Sequence, residues 1–243
     1  MCIRGRCGAE AGRRRGSAVC YNQRATAGET AMLTIGWTGG VCAGKTTALR
    51  CLGEIAALEV LDADGLGHRL LRQAGIRGRV VELLGAEVLG ADGELDRGAV
   101  GRRVFADRAL LERFNAVVHP PLVERIGRAV AAARQRPPEG REAFVVDAAL
   151  IYEWGIQDLF DVVVAVRAVS GLALRRLRER GLDEDGARRR MAAQLPAESK
   201  ARRADFVVVN DDDLTALRRR VRFLWEHQLY ELRRARGTVD DDG

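Results

Sequence analysis

Apolar positions along the chain switch period repeatedly, and each switch marks an element. Met32-Leu33-Thr34-Ile35-Gly36-Trp37 is a short apolar run of strand length. From Thr46 to Ile55 the apolar residues recur at helical spacing. A second strand, Ala57-Leu58-Glu59-Val60-Leu61, runs into Asp62-Ala63-Asp64. Helical patterns then continue to residue 136, with Leu110, Leu111, Phe114, Val117 and Val118 on one face. Ala91-Asp92-Gly93 is a turn between them. Pro120-Pro121 predicts that one helix ends and another begins there, with His119 extended. Arg136-Pro137-Pro138-Glu139-Gly140 reads as a loop. A third strand, Ala143-Phe144-Val145-Val146, ends at Asp147, and a fourth covers Asp161 to Val166. A helix from Gly171 to Arg180 and an Arg-rich helical pair up to Arg203 precede a fifth strand, Phe206-Val207-Val208-Val209. A final helix carries Leu214, Leu217, Val221, Leu224, Trp225 and Leu232. The Val and Leu runs do not alternate with polar residues, which predicts strands buried on both faces, as in a parallel sheet. Strands alternating with helices predict a doubly wound α/β fold. There is no internal repeat.

Length and composition narrow this picture. At 243 residues, 47% hydrophobic and 30% charged, the chain fits one soluble domain carrying an insertion. It holds no apolar run of membrane-spanning length and no signal-peptide stretch, so a cytoplasmic location with no membrane partner is expected. The net charge of +6 is uneven: residues 1–31 hold six Arg against two Glu, leaving about +2 for the rest. That balance favours a mixed solvated surface over a nucleic-acid partner. Residues 1–31 lack periodicity and read as a disordered basic leader, or as sequence ahead of a true start at Met32. The domain is then expected over 32–236, followed by an acidic tail at 237–243. The five cysteines, at 2, 7, 20, 42 and 51, match neither a metal site nor a disulfide framework.

The candidate chemistry centres on Gly39-Gly40-Val41-Cys42-Ala43-Gly44-Lys45-Thr46, which fits G-x-x-x-x-G-K-[ST] between a strand and a helix. In that context the backbone N–H groups of Gly40, Val41, Cys42, Ala43 and Gly44, together with Lys45, Thr46 and Thr47, cradle phosphates at a positive helix N-terminus. Lys45 would reach the β- and γ-phosphates of ATP, and Thr46 would hold Mg²⁺. Lys45 is one of only two lysines among 40 basic residues, which underlines the need for a compact ammonium there. Asp62 and Asp64 lie where the second strand ends, the edge at which parallel sheets bind ligands. With a period of two, both carboxylates point the same way, one as a base and the other supporting metal or water. Asp147 is either a strand-end carboxylate on the metal or a helix cap. Of Arg175, Arg176, Arg178, Arg180, Arg188, Arg189 and Arg190, two are expected to act as part of a lid and the rest to be solvated. His119 either faces a substrate or caps a helix.

With these residues in place the chain resembles the dephospho-CoA kinase family over about Leu33 to Leu229. The resemblance is carried by Thr38-Gly39-Gly40, by Asp62-Ala63-Asp64 with His68, by Leu95-Asp96-Arg97 with Val104-Phe105, by His119-Pro120, by Asp147 to Glu153, by Arg176, Arg180 and Gln194, and by Val209-Asn210. It implies a P-loop NTPase-type, five-stranded parallel sheet with a helical substrate-binding insertion at about 65–136 and an Arg-rich lid at about 176–203. It also implies ATP-dependent phosphorylation of the ribose 3′-hydroxyl of dephospho-CoA, in a monomer or weak homo-oligomer. By family position Asp64 is the general base and Arg176 a lid arginine, while Arg180 and Asn210 face the nucleotide. Asp62, Asp64, His68, Arg97 and His119 fall on the substrate side. Two positions depart from the family pattern. Cys42 stands where Gly is usual, which matters if that residue needs φ > 0. Ala149 stands where Pro is usual, which predicts a less rigid loop after the third strand. A different small-molecule kinase, or a nucleotide-binding regulator without turnover, are the competing expectations.

Overall fold

A computed structural model describes residues 32–136, 140–179, 181 and 183–235. The leader and the acidic tail expected from the sequence, and Arg180, lie outside the described residues. At the centre is one wholly parallel sheet of five strands: β1 (Leu33–Gly39), β2 (Leu58–Asp62), β3 (Ala143–Asp147), β4 (Val162–Arg167) and β5 (Phe206–Val209). Their order is β2-β3-β1-β4-β5. The inner strands β1, β3 and β4 are buried on both faces, as expected. The outer strands are not: Val60 of β2 is 48% exposed and Val207 of β5 40%, these being the sheet's edges among the described residues.

Alternation along the inner strands separates two apolar layers. Leu33, Ile35 and Trp37 of β1 pack with Val145 and Val164 under α1 (Lys45–Gly53) and α9 (Leu214–Phe223). Phe144 and Val146 of β3 turn the other way, onto α2 (Ala63–Leu71), α3 (Ala74–Leu84), α4 (Arg97–Ala106) and α5 (Arg108–Gln135). Gly36 faces this second layer, where a Cβ would come within 2.7 Å of the Phe160 ring. Register then assembles the carboxyl edge: Trp37 and Asp62 both stand opposite Asp147, so the strand ends that lead into the phosphate loop and into α2 lie beside that carboxylate.

The expected break at Pro120-Pro121 does not occur. α5 is one helix of 28 residues containing both prolines, and His119 is helical rather than extended. Each proline removes a backbone bond, to Ala116 or Val117, at a cost of roughly 3 kcal/mol. Against that, Val118, Leu122, Ile126, Val130 and Ala133 are buried along the same helix, and a buried aliphatic side chain of Val or Leu size is worth about 1.5–3 kcal/mol. Tertiary burial on both sides of the prolines outweighs the local penalty. Asp107 caps the start of α5 by accepting from Ala109 N and Leu110 N.

The expected final helix also departs from regularity. After α9 comes a widened π-type turn, Leu224–Gln228, and then α10 (Tyr230–Ala235). Leu224 and Trp225 are both buried there, whereas Leu214, on the same apolar spacing, is 42% exposed. The stretch expected from the resemblance to form a lid falls within α6 (Ser170–Glu179), α7 (Glu184–Ala192) and α8 (Ala197–Arg203). Across the surface, arginines pair with acidic neighbours, among them Arg103 with Glu87, Arg136 with Glu59 and Arg218 with Glu54, which is the mixed surface the charge balance predicts. Among the described residues no helix is long and apolar enough to cross a membrane.

Candidate active site

The loop between β1 and α1 is held from outside by side chains. Arg176 Nη1 donates to the Cys42 carbonyl at 3.0 Å, and Asn210 Nδ2 to the Ala43 carbonyl at 2.8 Å. Trp37 Nε1 donates to the Lys45 carbonyl at 3.1 Å. Gly44 has φ +86°, and a Cβ there would lie 2.0 Å from Asn210 Nδ2. Cys42 has φ +53°, the one positive φ outside glycine among the described residues. The resemblance puts glycine at this position; here the left-handed backbone is adopted with a side chain.

Lys45 Nζ is paired with Asp147 Oδ1, both largely buried. Burial raises the Asp147 pKa, and the Lys45 charge opposes that rise. Asp147 thus sits beside the loop lysine, and the helix-cap alternative falls away, because the chain passes through Ala148 into a turn at Ala149 and Leu150 rather than into a helix.

Asp62 and Asp64 do not share a strand face. The chain turns helical at Ala63, so Asp62 closes β2 while Asp64 lies in the first turn of α2. Two residues of helix rotate a side chain by about 200°, whereas two residues of strand return it to the same face. The Asp62 carboxylate folds onto Gly65, whose Cβ position is 2.5 Å from Asp62 Oδ2. Asp64 instead lines a cavity of about 340 Å³ together with the loop residues Gly40 to Thr47, Ala149, Leu177 and Gln194.

Asp64 also lines a second cavity of about 340 Å³ under the helical insertion. That cavity brings together His68, Arg97, Asn115 and His119 against Val104, Phe105, Leu111 and Phe114. Arg97 is the first residue of α4, placed by the Asp96 cap that accepts from Gly98 N at 2.8 Å. Burial lowers the pKa of His68, helped by the positive charge of Arg97, and burial alone lowers that of His119. Both imidazoles are therefore neutral at neutral pH. The His119 ring meets Trp154 edge-on at 5.6 Å.

Four of the five substrate-side candidates, Asp64, His68, Arg97 and His119, share this cavity, and Asp62 does not line it. All eight loop candidates line the first cavity. Arg176 touches the loop itself. Asn210 is 6% exposed and grips the loop from beneath, so its amide faces protein.

Sequence reasoning passed over Lys200. It is 0% exposed, and its Nζ donates to the Ala149 carbonyl at 2.5 Å and to Glu153 Oε1 at 2.9 Å. Burial lowers its pKa, against the pull of Glu153. The signal was present in the composition, since Lys200 is the only lysine besides Lys45. Thr38 Oγ1 also donates to the Ala149 carbonyl, at 3.1 Å. The loop after β3, expected to be loose without proline, is pinned by these two bonds.

Comparison with known proteins points one way. A family model described as dephospho-CoA kinase matches residues 33–216. The dephospho-CoA kinase of Streptomyces avermitilis is 41% identical over 198 residues, covering 80% of this chain and 93% of the relative. That of Corynebacterium diphtheriae is 35% identical over 197 residues, covering 80% and 96%. The crystal structure of TT1252 from Thermus thermophilus superposes with a TM-score of 0.65 at 30% identity, covering 83% of this chain and 98% of that one.

Proposed function

The chain belongs to the dephospho-CoA kinase family, and from that premise we propose that it transfers the γ-phosphoryl group of ATP to the ribose 3′-hydroxyl of dephospho-CoA, yielding coenzyme A. The observation that carries the residue assignment is that Asp64 lines both cavities, the one around the phosphate loop and the one under the helical insertion. A group placed there can meet a hydroxyl arriving from one side and a phosphoryl group arriving from the other. Phosphoryl transfer needs little more than such positioning, plus charge to stabilise the transition state.

The roles follow from placement. Lys45 leaves Asp147 to contact the β- and γ-phosphates, and Arg176, already on the loop, adds positive charge beside the transferring group. Asn210 acts on the nucleotide through the loop it holds. Asp64 accepts the proton of the attacking hydroxyl. Arg97 pairs with an acceptor phosphate, and neutral His68 and His119 offer hydrogen bonds without adding charge. The apolar wall of Val104, Phe105, Leu111 and Phe114 suits the uncharged arm of the acceptor. Mg²⁺ suits the oxygen donors present: it takes few protein ligands and keeps waters and phosphate oxygens, so the exposed Thr46 hydroxyl and the nearby carboxylates fit it. When bound it would neutralise charge developing between the β- and γ-phosphates. With a soluble acceptor, the enzyme is proposed to work in the cytoplasm, as a monomer or weak homo-oligomer.

The test is an assay coupling ADP release to each acceptor, with dephospho-CoA run against nucleoside monophosphates. Turnover confined to dephospho-CoA is expected. Turnover with a nucleoside monophosphate and none with dephospho-CoA would assign the site to a different acceptor.

A further inference from the structure

Asp64 is not alone in lining both cavities; Gln194 does so as well. It lies between α7 and α8, and its side-chain Oε1 is buried with no hydrogen-bond partner. Buried acceptors are nearly always satisfied, so an unsatisfied one at the wall of two cavities points to a donor supplied by a ligand. The residue is also well placed to hold its position. Gln194 N donates to the Met191 carbonyl at 3.3 Å, and the next amide, Leu195 N, donates to Glu153 Oε1 at 2.8 Å. Glu153 is in turn held by the buried Lys200 at 2.9 Å. Gln194 is thereby tied to the loop after β3, which also lines the donor cavity through Ala149.

We propose that Gln194 determines acceptor specificity: its carboxamide oxygen accepts a hydrogen bond from the ribose 2′-hydroxyl, the neighbour of the hydroxyl that reacts at Asp64. The proposal rests on the reading that dephospho-CoA is the acceptor. The two ribose hydroxyls lie on the same face of the ring, so the two residues shared by both cavities can take one each. The division of labour follows from basicity. A carboxylate can remove a proton, whereas an amide oxygen is too weak a base and only orients the group that donates to it. Two anchor points fix which hydroxyl faces the phosphoryl group, and an acceptor lacking the 2′-hydroxyl leaves Oε1 unpaired throughout the reaction.

The experiment compares kcat/KM for dephospho-CoA and its 2′-deoxyribose analogue in the wild-type enzyme, Gln194→Met and Gln194→Glu. The wild type is expected to favour the ribose acceptor by roughly tenfold or more. Gln194→Met should lose about that factor on dephospho-CoA and little on the analogue, bringing the ratio near unity. Gln194→Glu, which keeps an acceptor oxygen, should keep the ratio near the wild-type value. Should the methionine variant fail to fold, Gln194→Asn, whose amide is withdrawn by one methylene, must lower the ratio. An unchanged ratio in Gln194→Met, or equal losses on both acceptors, would overturn the proposal. Wild-type turnover of both acceptors with no preference would overturn it while leaving the proposed function standing. No turnover of either would overturn both.

Discussion

In the phosphate loop the carbonyls of Cys42, Ala43 and Lys45 accept side-chain bonds from Arg176, Asn210 and Trp37, and the Lys45 ammonium rests on Asp147. At the wall the two cavities share the pattern reverses: Gln194 Oε1 is buried without a partner. The loop's carbonyls are bonded by side chains, which fixes the backbone before nucleotide arrives and limits reorganisation during transfer. The acceptor side keeps polar capacity in reserve, so that part of its bonding is completed by the molecule it accepts. Preorganisation serves rate, and reserved polar groups serve selectivity, because a wrong acceptor leaves them unpaired.

The contrast can be broken most severely at Lys45. Lys45→Met should lower kcat by roughly 10³-fold, the scale for losing a charge aimed at the transition state. It should also destabilise the fold by about 1–3 kcal/mol, because Asp147 is left as a largely buried carboxylate without its partner. Adding Asp147→Asn should restore most of the melting temperature and none of the activity. A single variant with most of its kcat would remove the loop from the mechanism.

Arg97→Ala tests whether the two sides are separable. It should raise KM for dephospho-CoA by roughly tenfold, the value of one charge-assisted bond, and leave KM for ATP unchanged in steady-state kinetics. Equal changes in both constants would mean the cavities act as one. Cys42→Gly gives the smallest effect. Glycine adopts the φ of +53° without penalty, so stability should rise by about 0.5–1 kcal/mol with turnover preserved, read by chemical denaturation. A loss of stability would show that the thiol packs usefully.

The same contrast governs what could be read from the chain. The donor loop was legible because its parts are contiguous, strand, glycine turn, lysine and helix, and obey local rules. The parallel sheet was legible from its unalternating Val runs. Two local rules failed where packing prevailed. The Asp62 and Asp64 pair was assigned strand geometry although the chain turns helical at Ala63, and the proline pair was given a break that five buried side chains of α5 override. The Gln194–Glu153–Lys200 arrangement could not be assembled from spacing, since it joins residues more than 40 positions apart through a fully buried ammonium. Only the rarity of lysine hinted that Lys200 had a fixed place.

The account turns on Asp64 standing at the meeting point of the two sides, and Asp64→Asn tests this most directly. ATP and dephospho-CoA binding, measured by calorimetry, should stay within a few-fold of wild type, while single-turnover phosphoryl transfer falls by about 10²–10⁴-fold, because a general base acts in the transition state. Transfer at the wild-type rate, or a loss explained wholly by weakened binding of either ligand, would contradict it.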